Sequence, residues 1–314
     1  MSGPTDFPPA VRDPILTWYG SRTRSLPFRA TTDPYAILVS EAMAQQTQAE
    51  RAGEAWTGFM GRFPTVAALA AATPADVLRA WRRLGYNRRA INLWRSARRI
   101  VDVFGGRVPS DLAELQSLPG VGPYTARAVA ALAYGMPVGA VDTNVRRVLG
   151  RIVAGEVGVL APAELQRLAD AAVPRDRPGD WTHAVMDVGA TLCRPRRPDC
   201  GACPARPWCR YANASPAEPR RDGVPATAAR DAPAPFRTTS RWLRGRILER
   251  LRDAAHGVWV VLDESIGEHD QLAVERAART LAQEGLLELD RYQQGVVRAR
   301  LPLADRVVVT RPPD

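Results

Sequence analysis

Four cysteines, all that the 314-residue chain has, fall within one window: Cys193, Cys200, Cys203 and Cys209. Their spacing is C-x6-C-x2-C-x5-C. Thiols this close, in a chain read as cytosolic, argue against disulfides. They are read as thiolate ligands of one metal centre. Structural zinc prefers two short C-x(2–4)-C pairs, and only Cys200 and Cys203 form one. Wider, uneven loops suit the corners of a [4Fe–4S] cluster, the preferred reading over zinc. Arg194, Arg196, Arg197, Arg206 and Arg210 surround the cysteines. No flavin or nicotinamide motif accompanies them, so the cluster is expected to shape a basic loop for phosphates.

The formal net charge is +10. Such a surface draws polyanions, nucleic acid first and a membrane surface second. The positive count is all arginine, which also follows from GC-rich coding, so charge alone is weak evidence. The absence of lysine matters more for chemistry. An imine-forming enzyme normally uses a lysine amine as nucleophile, and only the N-terminal amine is left for that role. No run of 18 apolar residues marks a membrane span, and Met1 to Pro9 carries no apolar leader segment. A cytoplasmic, nucleoid-associated monomer is expected, with no membrane partner.

Residues Pro9 to Tyr211 alternate helical patterns with short turns, and no Gly-rich nucleotide loop interrupts them. Val66 to Val103 reads as helices with three-to-four spacing. Thr73-Pro74-Ala75-Asp76 gives an N-cap followed by proline at the first helical position. Asp111 to Leu118 is another short helix. Between 212 and 235 proline, alanine, arginine and aspartate take over, as in a semi-extended linker. Beyond it, Arg241–Ala255 and Gln271–Glu284 read as helices, and Gly285–Leu289 and Gly295–Leu301 as strands. Residues 236–314 are therefore expected to form a small winged-helix-like unit; the alternative is a helical tail docked on the main domain.

Leu118-Pro119-Gly120-Val121-Gly122-Pro123-Tyr124-Thr125 stops one helix, turns on two glycines and starts another with proline. Glycines allow close backbone approach, and a helix N-terminus offers N–H groups to a phosphate. This is the pattern of a helix–hairpin–helix element that grips backbone and reads no sequence; an ordinary helix–helix turn is the alternative. Val141-Asp142-Thr143-Asn144-Val145-Arg146-Arg147 follows, with Asp142 opening an arginine-bearing helix. A plain N-cap would account for Asp142 structurally. A second acid lies in Ser40-Glu41-Ala42-Met43-Ala44-Gln45-Gln46-Thr47-Gln48, read as the start of a largely apolar helix. A carboxylate in such surroundings has a raised pKa and suits general acid work; a surface helix cap is the alternative. The Gln-Gln-Thr-Gln run offers amides suited to base edges.

The cysteine spacing, the L-P-G-V-G hairpin and the downstream aspartate together resemble the endonuclease III superfamily of DNA glycosylases. Within it, residues 40–48, Leu84-Gly85-Tyr86, Val141-Asp142-Thr143-Asn144 and Met186-Asp187-Val188-Gly189-Ala190 resemble the MutY-type adenine DNA glycosylases. The resemblance spans about residues 10–211. It implies an all-α fold of two lobes with the active site between them, a helical barrel lobe (about 30–137) and a cluster lobe (about 10–29 and 138–211) with a [4Fe–4S] loop. It implies roles too. Glu41 would protonate the departing adenine and help activate water, and Asp142 would stabilise the sugar cation, the division of labour of glycoside hydrolysis. Tyr124 and Asn144 would support the site. Arg29 and Asp187 match pocket-lining positions. Gln45, Gln46, Thr47 and Tyr86 match positions facing the opposing base, and Gly120 and Gly122 would hold a phosphate. The partner implied is double-stranded DNA carrying a mispair, whose target base is flipped from the stack.

At Tyr124 the bifunctional lyases of the superfamily carry the lysine nucleophile. Tyrosine there, in a lysine-free chain, implies an enzyme that cuts the glycosidic bond and stops. Phe28, Ala44 and Asn87 replace the family's usual tryptophan, leucine and second tyrosine. Residues 236–314 do not look like the β-rich domain that recognises 8-oxoguanine in many members. Two other readings stay open from sequence. One is thymine removal from T:G mispairs. The other is a non-catalytic iron–sulfur DNA-binding protein, against which the joint presence of Glu41, Tyr124, Asp142 and Asn144 argues.

Overall fold

The computed structural model of the chain describes residues 6–22, 24–214, 235–291 and 296–305. It is mostly helical. In chain order the helices are α1 (Arg12–Arg22), α2 (Pro34–Ala44), α3 (Ala49–Arg62), α4 (Val66–Ala71), α5 (Pro74–Ala80) and α6 (Arg88–Phe104). Then come α7 (Leu112–Gln116), α8 (Pro123–Tyr134), α9 (Thr143–Val153), α10 (Pro162–Ala172), α11 (Pro178–Asp187) and α12 (Arg210–Asn213). The C-terminal part holds α13 (Ser240–Asp253), β1 (Val260–Val261), α14 (Gln271–Gln283), β2 (Glu288–Arg291) and β3 (Val297–Arg300). The chain gathers into two compact units. Of the described residues, one unit holds 6–41, 108–117 and 121–214, and the other 42–107, 118–120 and 235–305.

In the first unit α1 packs on α11, α11 on α8 and α9, and α9 also carries α10 and α12. Val145, Val148, Leu149, Ile152 and Val153 line one side of α9 and are buried. They meet Ile15, Leu16, Leu165, Leu168, Trp181 and Val185 in one core. The three-to-four spacing of those residues is what makes α9 amphipathic, so its arginines are left for the side that faces polar partners.

In the second unit α4 and α5 pack on α6, and α3 on α5. Phe59, Leu69, Leu78, Trp81, Trp94 and Ile100 are buried there. α13 packs on α14 and on α5, so the C-terminal segment shares the core of this unit. Its sheet has the order β1-β3-β2 with antiparallel neighbours, and Leu289 pairs with Ala299.

The helix starts follow local chemistry. Thr73 caps α5 by accepting from the Asp76 N–H at 3.1 Å, with Pro74 at the first position, as the sequence predicts. The two C-terminal helices and the strand predicted at 295–301 form close to their predicted limits, whereas the strand expected at 285–289 forms at Glu288–Arg291, after a turn at Gly285. The two-residue strand β1 was not expected, since it is too short to show alternation; the sheet rules out a purely helical tail. The linker expected over 212–235 lies, from 215 to 234, outside the described residues. One correction concerns Ser40 and Glu41. They sit in the last turn of α2 and not at its start. The start is set by Asp33, whose carboxylate accepts from the Tyr35 and Ala36 N–H groups at 3.2 and 3.3 Å. No helix among the described residues is long and apolar enough to cross a membrane.

Candidate active site

Glu41, Tyr124 and Asp142 come together within the first unit. The Tyr124 hydroxyl, which donates to Met186 Sδ at 3.9 Å, lies close enough to the Glu41 carboxyl to act on it. Glu41 is pushed up to about 7, first by burial, with the nearby Asp142 charge adding and the Tyr124 hydroxyl opposing. Tyr124 is raised well above the ordinary phenol range by burial and by both acids. Glu41 is thus no surface cap. A carboxyl near 7 beside a second carboxylate is what acid–base chemistry at neutral pH needs.

Asp142 is the N-cap of α9, as its bland reading held, and its local geometry adds more. One oxygen accepts from the Val145 N–H at 2.6 Å, and the other from the Asn144 amide at 3.0 Å. Two N–H donors fix the direction of the carboxylate. Asn144 is itself anchored: its side-chain oxygen accepts from Arg147 Nη2 at 2.8 Å. Arg147 then reaches the Gly189 carbonyl at 2.6 Å and, through Nε, the Cys193 carbonyl at 2.6 Å. Gly189 lies in a π-type turn, Val188–Leu192, that follows α11, a device frequent at functional sites. A Cβ on Gly189 would stand 2.6 Å from the Asn144 Cβ and 3.2 Å from its Cα. Only glycine lets the turn approach α9 this closely. Sequence reading missed Arg147 as a link and gave Gly189 no role of its own.

Arg29 and Asp187 form a two-pronged pair at 2.6 and 2.8 Å, with Asp187 almost wholly buried. Arg24 stands 3.6 Å from the same carboxylate. Asp187 is thereby engaged by protein cations, while the Arg29 Nε is buried without a hydrogen-bond partner. Such an orphan donor is costly and is a natural point for a polar ligand atom.

In the hairpin Gly120 has φ +80°, and a Cβ there would meet Asn92 at 2.8 Å, so this position needs glycine twice over. Gly122 is the N-cap of α8, with Pro123 first in the helix. The second unit holds Gln45, Gln46, Thr47 and Tyr86. Gln46 and Tyr86 both have left-handed backbones, φ +55° and +44°. Arg89, another residue sequence reading missed, ties the two turns together. It donates to the carbonyls of Ala42 and Met43 at 2.9 Å, to that of Gln45, to Thr47 Oγ1 at 3.2 Å, and to the Leu84 and Gly85 carbonyls at 3.3 Å.

All four cysteines are free thiols. Cys209 is part of the first unit's core, and Cys193, Cys200 and Cys203 pack against it. They lie close enough to act on one another. Burial, then its three sister thiols, push Cys203 up to about 11. Arg151 folds the loop onto α9, donating to the Arg194 and Pro195 carbonyls at 2.9 Å and lying over the Tyr211 ring at 4.3 Å. Among the described residues no group of three His, Cys, Asp or Glu forms a single-ion site. An all-thiol set of four, without imidazole or carboxylate, fits an iron–sulfur centre by donor chemistry.

The fold and the paired acids find their counterpart among known proteins. In accord, the profile of the HhH-GPD superfamily base excision DNA repair proteins matches residues 39–158. The chain is 39% identical over 276 residues to the adenine DNA glycosylase of Mycolicibacterium smegmatis, covering 87% of this chain and 91% of that one. It is 44% identical over 244 residues to the adenine DNA glycosylase of Mycobacterium tuberculosis, covering 76% and 78%. The structure also matches that of a thermostable thymine-DNA glycosylase, with TM-score 0.60 and 30% identity over 65% of this chain and 95% of that one. The chain belongs to the adenine DNA glycosylase family of the HhH-GPD superfamily.

Proposed function

We propose that the protein is a monofunctional glycosylase that hydrolyses the N-glycosidic bond of adenine mispaired with 8-oxoguanine or guanine in double-stranded DNA. The observation that carries this is the trio Glu41–Tyr124–Asp142, with Glu41 half-protonated near neutrality and Asp142 held by two N–H donors. With the base flipped out, Glu41 gives its proton to the adenine ring as the bond to C1′ breaks and the electron pair leaves with the base. The Asp142 carboxylate stabilises the cation left on the sugar. Glu41, now a carboxylate, takes a proton from water as its oxygen bonds to C1′. The products are free adenine and an abasic site. Tyr124 stands where a lyase would carry its amine, and the chain has no lysine, so no imine step follows. Catalysis is assigned to residues 10–211, with the Arg29 Nε offered to the base, Gly120 and Gly122 at a phosphate, and Gln45–Thr47 and Tyr86 at the opposing base.

A single-turnover assay on short duplexes carrying A:8-oxoguanine, A:G, A:C and T:G, each with and without alkali, tests the reading. Alkali-dependent scission at adenine is expected. Scission confined to T:G would transfer the protein to thymine removal, the reading favoured by the structural match to a thymine-DNA glycosylase. Tight binding without scission would leave a non-catalytic DNA-binding protein.

Cys193, Cys200, Cys203 and Cys209 would hold the [4Fe–4S] cluster, which supplies four thiolate-anchored corners to shape the arginine-bearing loop. Purified protein is expected to be brown and to carry iron in a fourfold ratio to chain. A colourless, zinc-loaded protein would refute the assignment.

Gly189→Ala should lower the single-turnover rate by about tenfold to a hundredfold, because an ångström of misplacement at a positioned group costs about that much. The new methyl displaces Asn144 and with it the Asp142 oxygen it holds. An unchanged rate would remove Gly189 and Asn144 from the argument.

A further inference from the structure

We infer that the C-terminal segment braces the turn that presents Tyr86, and that Arg241 is a positioning residue for Tyr86 in discrimination of the opposing base. This rests on the function proposed above. The turn between α5 and α6 holds Arg83, Gly85 and Tyr86 at φ +71°, +68° and +44°. L-residues avoid this region, so surrounding contacts must hold Arg83 and Tyr86 there. Arg89 from α6 and the Trp81 indole from the end of α5 fasten the carbonyl of Gly85, the latter at 3.1 Å.

Arg51 of α3 donates to the Arg83 carbonyl, and the flanking residues are held from α13. Arg252, 8% exposed, donates to the Leu78 carbonyl at 2.9 Å and to the Asn87 side-chain oxygen at 2.6 Å. Glu249 and Asp253 pair with Arg82. Arg79 reaches back to the Ala254 carbonyl at 3.1 Å. The residues on both sides of the strained turn are thus clamped to one C-terminal helix. Asn87, where the resemblance led one to expect an aromatic ring, supplies the acceptor that Arg252 needs.

At the tip, Tyr86 is 43% exposed. Its ring has the Arg241 guanidinium 4.5 Å from its centroid and that of Arg89 at 5.4 Å. An exposed aromatic on a basic protein suits stacking on, or wedging beside, a base. Its usefulness depends on ring orientation, and Arg241 restricts that orientation from the C-terminal side. The short C-terminal segment thereby takes part in base discrimination by shaping the reader.

The test is a double-mutant cycle in the full-length chain: Tyr86→Ala, Arg241→Ala, both together, and Arg241→Lys. Single-turnover rates are measured on A:8-oxoguanine and A:C duplexes. Arg241→Ala should reduce the ratio between the two rates by about threefold to thirtyfold, the range of a cation–π contact, and Arg241→Lys should restore most of it. In the Tyr86→Ala background Arg241→Ala should add nothing, the signature of one shared interaction. Equal losses in both backgrounds, with a salt slope shallower by about one, would overturn the inference and make Arg241 a simple phosphate contact. If Tyr86→Ala lowers thermal stability, Tyr86→Phe replaces it: the ring is kept, so Arg241→Ala must cost nearly as much as in the wild type, and no cost there overturns the inference. A wild-type protein that removes no base from any duplex ends the functional reading and this inference with it. Wild-type turnover with additive variants ends the inference alone.

Discussion

Asp142→Asn is expected to remove turnover while DNA binding stays close to wild type. The substitution keeps the shape of the side chain and its N-capping oxygen, so the bond from the Val145 N–H at 2.6 Å persists and α9 still starts at Thr143. What disappears is the negative charge beside the sugar. Electrostatic groups aimed at developing charge contribute on the order of a hundredfold to a thousandfold each, so a loss of at least that size is predicted in single turnover. Binding by gel shift or anisotropy supplies the control. A parallel loss of affinity would mean that Asp142 is only a structural cap, the bland reading that its sequence position also allowed.

The second large effect lies in pH dependence. Glu41 stands at about 7, against an ordinary 4.5, chiefly through burial. As a proton donor it is competent below that value, so the rate should fall about tenfold per pH unit above it. Glu41→Gln should be inactive at every pH. Tyr124→Phe removes the hydroxyl that holds Glu41 down, so its alkaline limb should move to higher pH. A limb that stays put would exclude Glu41 as the titrating donor. Stability follows the same sign. The folded value lies above the unfolded one, so the proton favours the folded state; that stabilisation is full below 4.5 and gone once pH passes about 7. Glu41→Gln should therefore gain on the wild type in thermal unfolding between pH 5 and 8, a gain measurable without any substrate.

The parts legible in the sequence were those written in local chemistry. Thr73-Pro74 announced α5, and Asp142 announced α9, because caps act within one turn. The four cysteines could be grouped from spacing alone. The resemblance supplied the acid pair, but the position of Glu41 within α2 was misjudged. An apolar run does not show where a helix begins, and the Asp33-Pro34 start signal went unread. Arg89, Arg147 and Arg151 were hidden among 43 basic residues. An arginine that binds buried carbonyls carries the same letter as one in solvent, and only the path of the neighbouring chain separates them.

By itself, then, the sequence determined the class of fold, the grouping of the thiols and the absence of lysine. Each of these depends on residue type or on spacing within a few positions. Tertiary structure decided the rest. It set the value of Glu41 through burial among residues far away in the chain, and it gave Asn144 to Asp142, Arg147 to Asn144 and Gly189 its closeness. It also joined the C-terminal helix to the Tyr86 turn. Desolvation and close packing depend on which distant segments meet, and no local pattern encodes them.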